Sequence, residues 1–396
     1  MDAVRWVAGL ACAAGTGVGR RVVAFSRWVD GRWPVRWFAA GVFALLVGFA
    51  GIAQPMHNWD MIGYVASAYR ADGLDGEALR AHTFDDIRAE ANPREFRSLT
   101  TDVYDSEVYR SARALGQQVP FYAVRVIYVE LIRCVHQRFG YGYAAASVRV
   151  SAVFAALAVL MLAALMRWQR LPILLLPGVA YLSGFVEVAQ QSTPDSVACC
   201  AALAALWLAL KRNPLLLPLV VLLPLIRTDY ILLSALLMLE EWLAGRRAPA
   251  ALALVAATLA YFWTNQAHGH YGWLRTFNFA NIGITAYPAD MVVSTRLPDY
   301  LWPYLLALRN LFDQTAQGAL FLCTLVALAR LPGAGFGDRQ MRLLALYPLA
   351  FVALHLLVFP HFESRFFVFA AAATALVLLH GLRGITTDDR PVAQSR

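Results

Sequence analysis

Cysteine is scarce and unpatterned in this chain. Its five residues, Cys12, Cys134, Cys199, Cys200 and Cys323, show no CxxC spacing and have no histidine cluster beside them. Neither a disulfide framework nor a structural metal centre is expected. Charge is also sparse, at 15% of 396 residues against 59% hydrophobic, with a mean hydropathy of +0.53. That balance excludes an ordinary soluble protein. A formal charge of +8 and a pI near 9.4 do not point to nucleic acid, because no basic, polar domain is present to hold it. Internal repeats of solenoid or transporter type are missing. The basic N-terminal flank could belong to a signal peptide, but the apolar run that follows lacks a small-residue cleavage site, so it reads as a retained first span.

What the chain does have is apolar runs near the roughly 20 residues that a helix needs to cross about 30 Å of hydrocarbon. The expected fold is all-α, a single polytopic membrane domain of about ten spans, near 37–53, 147–166, 172–189, 194–210, 214–226, 229–244, 249–266, 301–329, 342–359 and 366–382. Arginine clusters set the orientation. Residues 1–36, 167–170, 211–212, 246–247, 330–342 and the tail 384–396 fall on the cytoplasmic side, leaving 54–118 and 267–300 outside. This alternation requires 119–140 to be interfacial rather than spanning, which suits Arg125, Glu130, Arg133 and Arg138. Within the first outer segment, "DMIGYVASAYRA" and "SEVYRSARAL" have the apolar spacing of helices that lie on a membrane surface. Pro218 and Pro224 interrupt a short span just before "RTD", which implies either a kinked hairpin or a broken helix lining a cavity.

Four acidic groups stand where spans meet the outer face: Asp60 in "HNWD", Asp195 in "QQSTPDS", Asp229 in "LIRTDY" and Glu363 in "HFESR". Intramembrane or bordering carboxylates are expensive and tend to be paired or functional. Each also has a plain structural reading. Asp60 or Asp195 can cap a helix, Arg227 can pair with Asp229, and Arg365 can pair with Glu363.

A first span followed at once by an outer Asp, long outer segments, "TPD" at a span start, an Arg/Asp motif between short spans and "ESR" before the last span together resemble the C-type glycosyltransferase superfamily. Within it the chain resembles the bacterial protein-mannosyltransferase and aminoarabinose-transferase members. The resemblance implies an inverting, metal-independent transfer without a cofactor. One sugar would move from a polyprenyl-phosphate donor to a glycan, lipid or protein acceptor at the periplasmic face of the inner membrane. It assigns the general base to Asp60, with Asp102, Asp105 and Glu107 as alternatives in the same segment, and the phosphate-binding cations to Arg227 and to Arg365 or His361. The remaining candidate substrate-binding residues are His57, as a partner for Asp60, Asn58, Trp59 as a sugar or prenyl platform, Asp195, Asp229 and Glu363. The chain lacks the "WWDYG" motif of oligosaccharyltransferases and the long soluble C-terminal domain of larger members. The competing expectations are a polyprenol-linked flippase or small-molecule transporter, or a structural subunit of an envelope complex.

Overall fold

A computed structural model describes residues 17–313, 316–330 and 338–388. They are helical, and the β pairing among them is one isolated bridge between Met56 and Gln191. The all-α expectation holds.

Two of the long helices are built inside out relative to those of a soluble protein. In Trp33–Ala53 the buried stripe is mostly small residues, Ala40, Ala44, Gly48 and Gly51 beside Val47, while Phe38, Leu45 and Phe49 are 69–73% exposed. Arg247–Ala267 repeats this, with Ala250, Ala253 and Ala257 buried and Leu252, Leu259 and Phe262 facing outward. In lipid no hydrophobic force drives helices together, so small side chains that permit close backbone contact supply the interface. Gly51 is one such contact: a Cβ there would lie 2.4 Å from the Ala189 carbonyl oxygen and 2.9 Å from the Ala152 methyl group. These long apolar helices are compatible with a multi-pass membrane protein.

The count of about ten spans does not hold. Among the described residues five helices are long and apolar enough to cross: Trp33–Ala53, Tyr143–Trp168, Arg247–Ala267, Arg339–Val358 and Ser364–Gly381. Leu297–Asp313 and Ala316–Ala329, expected as a single span over 301–329, meet at 92° and would add a sixth if together they form one broken span. Local backbone chemistry shortens the others. The expected span 172–189 breaks at Gly184, whose φ of +91° ends Leu176–Ser183 and starts Phe185–Gln190. Residues 194–210 form the 16-residue helix Asp195–Leu210, largely buried within the bundle.

The proline-rich segment folds as a hairpin of Leu216–Ile226 and Ile231–Leu243, with Arg227 in an extended conformation at its tip. The Ser234 hydroxyl donates to the Val220 carbonyl at 2.9 Å, tying positions equidistant from Arg227. Eleven residues rise only about 17 Å, roughly half of a hydrocarbon core.

Residues 59–139 form a layer of short helices at one end of the bundle. Trp59–Ala71 is its centre and does not lie on a surface, because Met61 through Ala68 are all buried. "SEVYRSARAL" is likewise not one helix: Val103–Arg110 ends at Ser111, whose hydroxyl accepts from the Ala114 N–H to start Ala112–Ala123. Segment 119–140 is split between Ala112–Ala123 and Val126–Phe139, and neither has the length and composition of a span. The second polar stretch docks on this layer through Arg113–Asp290 at 2.8 Å and Gln118 to the Ala286 carbonyl at 3.0 Å. The proposed segment boundaries meet the described structure unevenly, since residues 1–16 and 389–396 lie outside it and the last helix continues to Asp388.

Candidate functional site

Five elements from distant parts of the chain bring their ends to one place. Asp60 lies in the first turn of Trp59–Ala71, Asp195 is the first residue of its helix, and Arg227 and Asp229 sit at the hairpin tip. Glu363 and Arg365 precede the final helix. His355 comes from the last turn of Tyr347–Val358.

The carboxylates are held by guanidinium groups rather than by helix ends. Arg227 donates to both oxygens of Asp229 at 3.0 Å and to Asp195. Arg365 pairs with Asp60 at 2.6 Å, with Asp195 at 3.6 Å and with Glu363. His355 Nδ1 lies 3.0 Å from Asp229, and His361 Nε2 lies 2.9 Å from Glu363. Neither Asp60 nor Asp195 caps a helix with its side chain; Asn58 and Pro194 occupy the cap positions. Asp195 is 3% exposed, so the pairing is necessary, because an unpaired carboxylate there would be very costly. Burial alone would raise the Glu363 carboxyl, but the His361 hydrogen bond and the Arg365 charge outweigh it and hold it down at about 2.

This network lines a cavity of about 770 Å³. Asp60, Asp195, Arg227, Asp229, Glu363 and Arg365 all contribute to it. The same lining also holds aromatic side chains, including Phe121, Tyr261, Phe262, Trp273, Phe279 and Phe359. A glycine sets the polar rim. A Cβ on Gly63 would fall 2.2 Å from the Tyr122 ring, and that close approach lets the Tyr122 hydroxyl donate to Asp60 Oδ1 at 3.2 Å.

Other expected site residues turn elsewhere. His57 does not meet Asp60; its Nδ1 lies 2.9 Å from Glu95, whose capping box with Asn92 fixes the carboxylate beside it. The Trp59 ring packs on Tyr104, with centroids 4.9 Å apart. His57, Asn58, Trp59 and His361 are outside the cavity lining, as are Asp102, Asp105 and Glu107. Among the described residues no group of three or more His, Cys, Asp or Glu side chains is arranged to hold a metal ion.

Two contributors escaped sequence reading. His355 stands inside the apolar run "FVALHLLV", where an imidazole is itself a signal. Arg125 sits at the break between Ala123 and Val126, in a segment read as a surface face. It lines the cavity, has no ion pair among the described residues, and its buried Nε has no hydrogen-bond partner. Thr264 fixes the break by donating to the adjoining Val124 carbonyl at 3.1 Å.

Burial and the nearby Arg125 charge push the cavity-lining His270 down to about 4. Burial and Asp102 push Asp105 up to about 6. Their effects on stability have opposite signs. An unfolded histidine titrates near 6.5, so His270 costs stability as pH falls from there towards 4. Asp105, near 3.8 when unfolded, contributes stability at low pH that is lost as pH rises through about 6. On acidification from pH 6.5 to 4, His270→Gln is expected to lose less thermal stability than the parent, and Asp105→Asn more. Unfolding midpoints in detergent would check this, and parallel pH curves for all three proteins would refute it.

Comparison with known proteins returns no matching family model, no matching curated protein and no matching solved structure.

Proposed function

We propose that this chain is an inverting membrane glycosyltransferase that moves one sugar from a polyprenyl-phosphate donor to a hydroxyl of a glycan, lipid or protein acceptor. The observation that carries the reading is that one cavity is lined both by the carboxylate–guanidinium network and by aromatic side chains, a match for a polar sugar phosphate joined to a hydrocarbon chain.

In the proposed step the acceptor oxygen attacks the anomeric carbon, and its proton passes to Asp60. The bond from that carbon to the phosphate oxygen breaks, its electron pair stays on oxygen, and polyprenyl phosphate leaves. Such a transfer passes through an oxocarbenium-like centre, and a carboxylate on one side with cations on the other serve both partners. Arg227 already serves Asp195 and Asp229, and Arg365 serves three carboxylates. Among the described residues the cavity guanidinium without an ion pair is Arg125, which makes it the principal phosphate ligand in this reading, with Arg365 orienting the base. By the arginine distribution, the cavity faces the periplasm of a bacterial inner membrane.

The test is transfer of labelled sugar by the purified protein from a panel of polyprenyl-phosphate monosaccharides. Release of polyprenyl phosphate is expected to match sugar incorporated. Arg125→Gln is expected to raise the donor KM roughly ten- to a hundredfold, the worth of a hydrogen bond to a charged group, with a smaller change in kcat. The broken hairpin at Arg227 favours transport as a second reading. Uptake of a lipid-linked sugar into proteoliposomes without any transfer would establish that reading instead.

A further inference from the structure

At the opposite end of the bundle a second cavity, of about 750 Å³, is bounded by helices that also reach the carboxylate network. Asp195 opens the helix that ends at Leu210, and Lys211 follows it, so the two cavities are separated by 16 residues, roughly 24 Å. Trp37 contributes from the first turns of Trp33–Ala53, and Arg167 and Trp168 from the last turn of Tyr143–Trp168.

The lining includes Arg167, Arg170 and Lys211 and no carboxylate. Elsewhere at that end Arg339 and Arg342 pair with Glu240 at 3.0 and 2.8 Å and Arg246 pairs with Glu241 at 2.8 Å. Arg167 and Lys211 have no ion pair among the described residues. The Lys211 ammonium is instead placed 4.2 Å over the Trp168 ring. The Trp37 indole N–H is buried without a hydrogen-bond partner among the described residues. Two helices end here, and their C-terminal partial charges amount to about half an electron each. Arg167 and Lys211 together exceed what those ends require.

We infer that this cavity binds a phosphate group, with the headgroup of an anionic phospholipid as its source in the membrane. Guanidinium, ammonium and indole N–H groups all donate, and a phosphate diester offers acceptors to all three without a proton to return. Tryptophan and basic side chains at helix ends belong at headgroup depth, and basic pockets between spans are suited to anionic headgroups. Because Lys211 already covers Trp168, that face is closed to a quaternary ammonium, so a choline headgroup gains nothing there. This inference does not depend on the glycosyl-transfer reading.

The test uses the full chain in nanodiscs of equal phosphatidylglycerol and phosphatidylcholine, with retained lipids identified by native mass spectrometry. Phosphatidylglycerol is expected to be retained about tenfold over phosphatidylcholine. The double variant Arg167→Gln with Lys211→Gln should bring the ratio to parity. Trp37→Phe keeps the ring bulk and removes the N–H, and should lower the ratio severalfold even if the double variant fails to fold. In a second arm, delipidated protein in detergent is titrated with inorganic phosphate. A saturable change in tryptophan fluorescence at millimolar phosphate, lost in Trp37→Phe, with no lipid preference, would assign the site to a soluble phosphate compound. Equal retention of both lipids with no response to inorganic phosphate overturns the inference.

Discussion

Replacing Asp60 by asparagine is expected to lower sugar transfer by about 10²–10⁴-fold, the usual worth of a general base, while the protein remains folded. Asparagine keeps the size and can still accept the Tyr122 hydroxyl hydrogen bond. Arg365 keeps Glu363 and Asp195 as partners, so no buried cation is stranded. No helix cap is lost either, because Asn58 holds that position. Initial rates with a lipid-linked donor and the thermal midpoint of the same preparation would measure both sides. Transfer within a few-fold of the parent rate would remove Asp60 as the base. The next residue to test would then be Glu363, which lines the cavity, rather than Asp102, Asp105 or Glu107, which do not.

Replacing Arg227 by methionine is expected to act mainly on the fold, at about 3–5 kcal/mol, because it leaves buried charge without its partner. Asp195 is buried and would retain only the longer contact to Arg365 at 3.6 Å, while Asp229 would retain His355. Arg227→Lys should recover part of the loss, since an ammonium supplies charge but cannot form the two parallel bonds to Asp229 and reach Asp195 as well. Asp229→Asn should be milder than Arg227→Met, because Arg227 keeps Asp195. Denaturant titration in detergent would rank the three. Unchanged stability of Arg227→Met combined with a large rise in donor KM would return Arg227 to the phosphate site, where the resemblance places it.

The contrast between Arg227 and Arg125 shows why a motif is a poor guide to a role. "RTD" is conspicuous because it interrupts an apolar run, yet its arginine is occupied by carboxylates from its own turn and from the start of another helix. Arg125 lies in a segment with several charges, where nothing local separates it from Arg133. Arg133 pairs with Asp72 at 2.9 Å and Glu130 at 2.7 Å. Arg125 has no such partner among the described residues; it stands at the chain break and lines the cavity.

Hydropathy is a property of neighbouring residues, and the pattern of residues along the chain therefore determined the helical class, the membrane-compatible character and the order of the acidic motifs. It could not count the crossings. Whether an apolar run forms one span or two short helices depends on a few backbone positions: the left-handed Gly184, Pro224 and the extended Arg227. Tertiary structure also chose the partners. His57 is three residues from Asp60 but is held by Glu95, while Arg365, some 300 residues away, reaches Asp60 at 2.6 Å. Ion pairs form where packing brings helix ends together, and that packing rests on close contacts such as those of Gly51 and Gly63, which exclude even a methyl group.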